Sequence, residues 1–158
     1  MTLQLDFAAG HSFDMSYIDQ NGEKKVPFVI HRSSIGCYER TLAMLIEKYA
    51  GAFPLWISPV QVKLLSVTDR SVEYTKAVAD KLTYAGIRVE TDFRSEKIGR
   101  KIRDAQLEKV PYMLILGDKE VENGATVSVR ERNGESYEMT TDDFIAKVVA
   151  EDKNKVIK

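Results

Sequence analysis

His31 closes an apolar run at residues 26–31 (VPFVIH). An imidazole at the end of a buried strand can ligate zinc or simply hydrogen-bond, and a zinc site takes about three or four such ligands. The other histidine is His11 and the one cysteine is Cys37. Arg40 follows Gly36 on the first turn of a helical pattern. A guanidinium there can hold a phosphate bidentately, or pair with a carboxylate such as Asp6. Farther along, Lys97, Arg100, Lys101, Arg103 and Lys109 stand in one helical stretch against Asp104 and Glu108. Lys97 and Lys101 share a face, with Arg100 and Arg103 beside it, which suits a polyanion or a solvated surface. Asp118, Lys119, Glu120 and Glu122 follow a strand end, and Arg130 lies in the next strand. Acceptors mixed with donors can read base edges, whereas cations alone hold a backbone; an ordinary charged β-turn has the same composition.

The elements that must position these groups fall into two patterns. Residues 2–7 (TLQLDF) alternate, with Leu3, Leu5 and Phe7 on one face. Residues 15–18 are a second short strand, Asn21-Gly22 is a turn that accepts positive φ, and residues 26–31 are a third strand. The three are expected to form an antiparallel meander. A helix follows over 37–50, stopped by Gly51, and residues 52–59 (AFPLWISP) read as a linker. From residue 60 strands and helices alternate: strand 61–67, a helix from Asp69 to Ala85, strand 87–93, a helix over 97–109 capped by Ser95, and strand 112–116. Residues 125–132 and 135–139 pair across Asn133-Gly134, and Thr140 with Asp143 opens a last helix whose tail frays from Asp152. Such an order predicts an α/β fold, a mixed and mainly parallel sheet flanked by helices with an antiparallel hairpin at its edge.

The chain has 158 residues, enough for one domain with an appendage. A net charge of −1 identifies no partner, because a balanced total can hide a basic face. One cysteine excludes an internal disulfide and suits a reducing compartment. No run reaches membrane-span length and the N-terminus lacks a signal-peptide pattern, so the cytoplasm is the expected location. No nucleophile–base pair, glycine-rich phosphate loop or dinucleotide fingerprint is present, which argues against a hydrolase or a nucleotide-cofactor enzyme.

Two long stretches carry a family likeness. VPFVIHRSSIGCYERTLAMLIEKYAGAFPLWISPVQV resembles the third signature motif of the class II aminoacyl-tRNA synthetases, in particular the threonyl-tRNA synthetase family. AGIRVETDFRSEKIGRKIRDAQLEKVPYMLILGDKEVENG resembles the anticodon-binding domain of the same enzymes. The likeness spans about residues 2–145 and implies a remnant of a catalytic domain over 1–53 followed by an anticodon-binding domain over 54–158. It implies ATP-dependent charging of threonine tRNA by a homodimeric parent enzyme that uses ATP, threonine and zinc. In that picture His31 is the third zinc ligand, Gln4, and with it Thr2, line the amino-acid pocket, and Arg40 holds the ATP phosphate. Ser95, Lys109, Glu120 and Arg130 fall where the family contacts the anticodon, and Lys97 and Arg100 are phosphate contacts by position. The family's two earlier motifs and two other zinc ligands are expected upstream of Thr2, and His11 and Cys37 do not stand in for them. The chain by itself is therefore expected to bind the anticodon loop, without stable zinc and without adenylation. The competing reading is an accessory protein that uses this module to bind nucleic acid or protein without catalysis. Leu3, Leu5, Val29 and the apolar face of residues 42–49 are expected to form an exposed apolar patch prone to disorder or self-association.

Overall fold

Alternation decides which side of each strand is buried, and the second half of the chain follows it closely. The computed structural model describes residues 2–157. Cα packing divides the chain into two units, one ending at Glu47 and the other beginning at Lys48.

In the first unit, β1 (Thr2–Asp6) pairs antiparallel with β4 (Val29–Ser33), placing Gln4 opposite His31 and Leu5 opposite Ile30. β2 (Tyr17–Ile18) pairs with β3 (Lys24–Lys25) around the Asn21-Gly22 turn. The expected meander is thus two separate two-stranded sheets. The reason is local: Asp19 accepts from the N–H groups of Asn21 and Glu23, and this tight turn pairs β2 with the residues that follow it at once. A short helix that the sequence did not announce, α1 (Ala9–Ser12), starts where Asp6 Oδ1 accepts from the N–H groups of Ala8 and Ala9. Gly10 is required there, because a Cβ would sit 2.4 Å from the Pro27 carbonyl oxygen. Leu3, Leu5, Phe7, Phe28 and Ile30 are all exposed, as are Leu42, Met44 and Ile46 of α2 (Tyr38–Tyr49).

The second unit is built on a five-stranded sheet in the order β6-β5-β7-β8-β9. β5 (Val62–Ser66) runs parallel to β6 (Val89–Asp92) and to β7 (Tyr112–Leu116). β8 (Thr126–Glu131) and β9 (Ser136–Thr140) add an antiparallel hairpin closed by Asn133 and by Gly134 at φ 95°. On one face, α3 (Val72–Tyr84) and α6 (Thr141–Lys153) cover the main core through Val78, Leu82, Phe144 and Val148. On the other, α4 (Ile98–Leu107) packs Ile98, Ile102 and Ala105 against Leu65, Met113 and Ile115.

Several local expectations give way to tertiary contacts. Residues 52–59 are no free linker: Leu55 is 2% exposed in the main core, and Gln61 and Arg88 both donate to backbone carbonyls of this segment. Tyr49 meets Phe53 edge-on, and Arg132 Nη2 donates to the Phe53 carbonyl at 2.7 Å. Those contacts tie Phe53 to Tyr49 and Arg132 within the second unit. Thr68 rather than Asp69 begins the α3 approach, with the Ser71 hydroxyl donating back to the Thr68 carbonyl. Lys97, not Ser95, is the N-cap residue of α4, and no side chain caps it. The tail is helical to Lys153 because Asp152 accepts from Gln61 Nε2 at 2.7 Å. Among the described residues no helix is long and apolar enough to cross a membrane.

Candidate nucleic-acid interface

The hairpin's alternation makes an open polar face. Val127, Val129, Tyr137 and Met139 point into the main core, so Ser128, Arg130, Ser136 and Glu138 occupy the opposite side. That is the side α4 covers, but α4 packs over β5 and β7 and leaves the hairpin's polar row uncovered. Ser128 stands opposite Glu138, and Arg130 opposite Ser136.

Glu120 joins this row from α5 (Asp118–Asn123), a one-turn helix absent from the sequence reading, which saw only a charged turn. Its Oε2 accepts from the Gly117 N–H at 2.8 Å and its Oε1 from the Ser128 hydroxyl at 2.7 Å. Glu120 is 8% exposed. Burial opposes its ionisation, but hydrogen bonds from Ser128 and from the Gly117 and Glu120 N–H groups, with the Lys119 charge, together outweigh burial and hold the carboxyl below the usual glutamate range. Arg130 Nη1 donates to the Ser136 hydroxyl at 3.2 Å, while its Nε is buried without a partner among the described residues. Lys119 pairs with Glu138 on the same face, and Asp118 accepts from Thr68 Oγ1 at 2.8 Å. The row therefore combines a fixed acceptor pair with a guanidinium held at Nη1 by Ser136.

The cations of α4 do not form the single face read from the helical wheel. Lys101 is 2% exposed; its ammonium donates to the carbonyls of Ser66 at 2.8 Å and Asp92 at 3.2 Å. It closes the carboxyl ends of β5 and β6 and cannot reach a polyanion. Lys97, Arg100 and Arg103 are exposed, and Arg100 shares an exposed ion pair with Glu96 at 3.2 Å. Ser95 is exposed in the loop between β6 and α4. That loop is braced by Arg94, which grips Asp92 through Nε and Nη2 and reaches Asp104 at 2.9 Å. The Arg94 guanidinium holds the Asp92 carboxyl below its ordinary range.

Residues 57–151 match the family model described as the anticodon binding domain. The chain belongs to this family. Threonine–tRNA ligases are among its similar proteins: that of Clostridium perfringens strain 13 is 56% identical over 98% of the chain and 24% of its own length. That of Clostridium botulinum strain Eklund 17B is 61% identical over 85% of the chain and 21% of its own length. The chain thus spans about a quarter of the length of these relatives. Among solved structures, the RNA binding domain of threonyl-tRNA synthetase from Cryptosporidium parvum Iowa II superposes with a TM-score of 0.70 at 33% identity. It covers 94% of this chain and 38% of that one. The likeness to ligases extends over both units, beyond the anticodon-binding domain itself.

Within the anticodon-binding domain, Ser95 follows β6 and Glu120 follows β7, both at the carboxyl ends of the parallel strands. Lys109 lies at the opposite end, before β7, at φ 58°. Its ammonium is engaged by the Ala50 carbonyl, so the fold does not bring it to the polar row. In the first unit Gln4 and His31 line one open cleft of about 720 Å³ with Asp6, and Arg40 is not among its lining residues. Asp6 Oδ2 lies 3.2 Å from His31 Nε2, so Asp6 pairs with His31 rather than with Arg40. The Ala9 N–H and then His31 hold the Asp6 carboxyl below its ordinary range. Among the described residues no group of three His, Cys, Asp or Glu side chains could hold a metal ion. One imidazole and one carboxylate do not amount to a zinc site. Sequence reasoning missed Ser128, Ser136 and the burial of Lys101; the alternation of β8 and β9 is the signal that could have revealed the two serines.

Proposed function

We propose that the chain is the tRNA-reading part of a threonine–tRNA ligase and binds the anticodon loop of threonine tRNA on the open face of the β8–β9 hairpin. The observation that carries this reading is the polar row of Glu120, Ser128 and Arg130 on a sheet face that α4 only half covers, in a chain of the anticodon-binding family. Unstacked loop bases present their edges to a protein, and a row of fixed acceptors and donors can discriminate among them. Glu120 accepts from base donors and Arg130 donates to base acceptors. Ser95, Lys97 and Arg100 meet the backbone from the start of α4. Lys109, tied to Ala50, contributes charge at a distance.

In the parent enzyme, Gln4 and His31 belong to the amino-acid pocket, with His31 ligating zinc, and Arg40 to the ATP phosphate, in a cytoplasmic homodimer. Their support here is the ligase likeness over the first unit and, for Gln4 and His31, their shared cleft. The test is fluorescence anisotropy of the whole chain with a labelled anticodon stem–loop of threonine tRNA and with a stem–loop of unrelated anticodon. Tighter binding to the first supports the reading. Equal binding to both refutes base readout and favours a general nucleic-acid-binding role. Zinc content and threonine-dependent ATP–pyrophosphate exchange are expected to be negligible for this chain alone.

A further inference from the structure

Glu120 and Ser128 come from different elements, α5 and β8, and meet through one bond on the open face. A hydroxyl carries a single proton, and Ser128 gives it to Glu120 Oε1. The Gly117 N–H takes one lone pair of Oε2. The residue's own N–H also bears on the carboxylate, and with three donors on about four lone-pair sites an acceptor site remains. Without Ser128 the carboxylate would be held only by N–H groups of its own turn, and the terminal torsion of a glutamate is broad and roughly two-fold. The carboxylate plane would then turn about its last bond. Ser128 is partly exposed and contributes no apolar side chain to either core. An alanine would keep its Cβ and the β8 backbone pairing and lose only the hydroxyl.

We propose that Ser128 is a positioning residue for base recognition, resting on the reading of Glu120 given above: it holds the Glu120 carboxylate in one orientation and so sets the acceptor pair offered to an anticodon base. Arg130 has an equivalent neighbour in Ser136, but that bond is exposed and 3.2 Å long, a weaker restraint.

The experiment compares the whole wild-type chain with Ser128→Ala, Ser128→Thr and Glu120→Gln. Each is titrated against the threonine anticodon stem–loop and against the same stem–loop with single anticodon bases replaced, with thermal unfolding measured alongside. Ser128→Ala is expected to lower the affinity ratio between the threonine loop and the replaced loops by about fivefold to tenfold, as removing one hydrogen bond of ordinary net strength does. Its affinity for the replaced loops and the salt dependence of binding stay as in wild type. Ser128→Thr, which keeps the hydroxyl, restores the ratio. Glu120→Gln loses it further. If Glu120→Gln lowers the ratio and Ser128→Ala does not, the positioning role is wrong while Glu120 remains a reader. If Ser128→Ala weakens every loop by one common factor, its bond serves the fold alone and the inference is overturned. If Glu120→Gln leaves the ratio intact, the reading of Glu120 itself falls.

Discussion

Replacing Lys101 by methionine keeps the aliphatic stem and deletes a buried ammonium. The ammonium donates to the Ser66 and Asp92 carbonyls, where β5 and β6 end, and Lys101 is 2% exposed. Each carbonyl that loses its donor costs about 1–3 kcal/mol, because water cannot easily replace the ammonium there. Relief of the ammonium's own desolvation offsets part of that loss, leaving a net destabilisation of about 2–4 kcal/mol. For a unit of this size the change corresponds to about 8–16 °C in Tm, at about 4 °C per kcal/mol. Trp56, the single tryptophan, lies in the second unit within the Leu55–Ile57 turn, so its fluorescence follows the unfolding of that unit. A helix-surface lysine would give almost nothing in the same assay. A Tm loss under about 2 °C for Lys101→Met, measured by Trp56 emission, would therefore refute the capping role assigned to this side chain.

Glu120 gives the unit an acid-sensitive bond. Its folded carboxyl titrates below the ordinary range, so its contribution is complete above the glutamate's unfolded pKa of about 4.3 and is lost as pH falls through the lower folded value. Glu120→Gln is expected to flatten the fall in stability over that window, read from urea unfolding at a series of pH values; an unchanged slope contradicts the bond pattern. Asp92, held low by Arg94, adds a second loss of the same sign, and Asp92→Asn is expected to reduce it in the same titration. In the first unit, Gly10→Ala would put a Cβ 2.4 Å from the Pro27 carbonyl and 2.7 Å from Val26 Cγ1, a clash with backbone that costs about 1–3 kcal/mol. Faster proteolysis between residues 8 and 28 is the expected readout, and an unchanged cleavage rate would show that the α1 turn tolerates a side chain.

What the sequence could and could not reveal follows from the range of the forces involved. The β8–β9 hairpin was legible because its signals are local: Asn133-Gly134 sets the turn, and strict alternation separates Val127 and Val129 from Ser128 and Arg130. Strands β5 and β7 were legible from their apolar runs, which must be buried in a sheet covered by helices on both sides. Pairing across long separations was not. β1 and β4 join over more than twenty residues, and nothing in either strand says that β2 will not lie between them. Lys101 shows the limit of a helical wheel, which gives its direction from the axis but not that two strand ends wait there. Ser95 stood in the right place for a cap, yet the loop is braced instead by Arg94 between Asp92 and Asp104. Residues 52–59 looked like a linker because prolines interrupt them, whereas Leu55 is apolar enough to be drawn into the core. α5 could have been found: Glu120 lies three residues beyond Gly117, the spacing at which a carboxylate reaches back to a helix's first N–H groups.

The same corrections set the salt dependence expected of the proposed tRNA binding. Read from the sequence, five cations on or beside α4 were available to phosphates, which at about −0.7 per neutralised phosphate gives a slope of roughly −3.5 in log K against log salt. The fold withdraws two of them. Lys101 is sealed against strand-end carbonyls, and Lys109 is tied to Ala50 at the far end of β7. Lys97, Arg100 and Arg103 remain, and they support a slope of about −2. Lys97→Ala is expected to make the slope about 0.7 shallower and to weaken all loops alike, since a phosphate contact carries no base information. Lys101→Gln, assayed well below its own Tm, leaves the slope untouched, because a buried ammonium releases no counterion when RNA arrives. A slope near −3.5 for the wild-type chain, or a shallower slope for Lys101→Gln, would mean that the carboxyl ends of β5 and β6 open on binding and give Lys101 to the RNA.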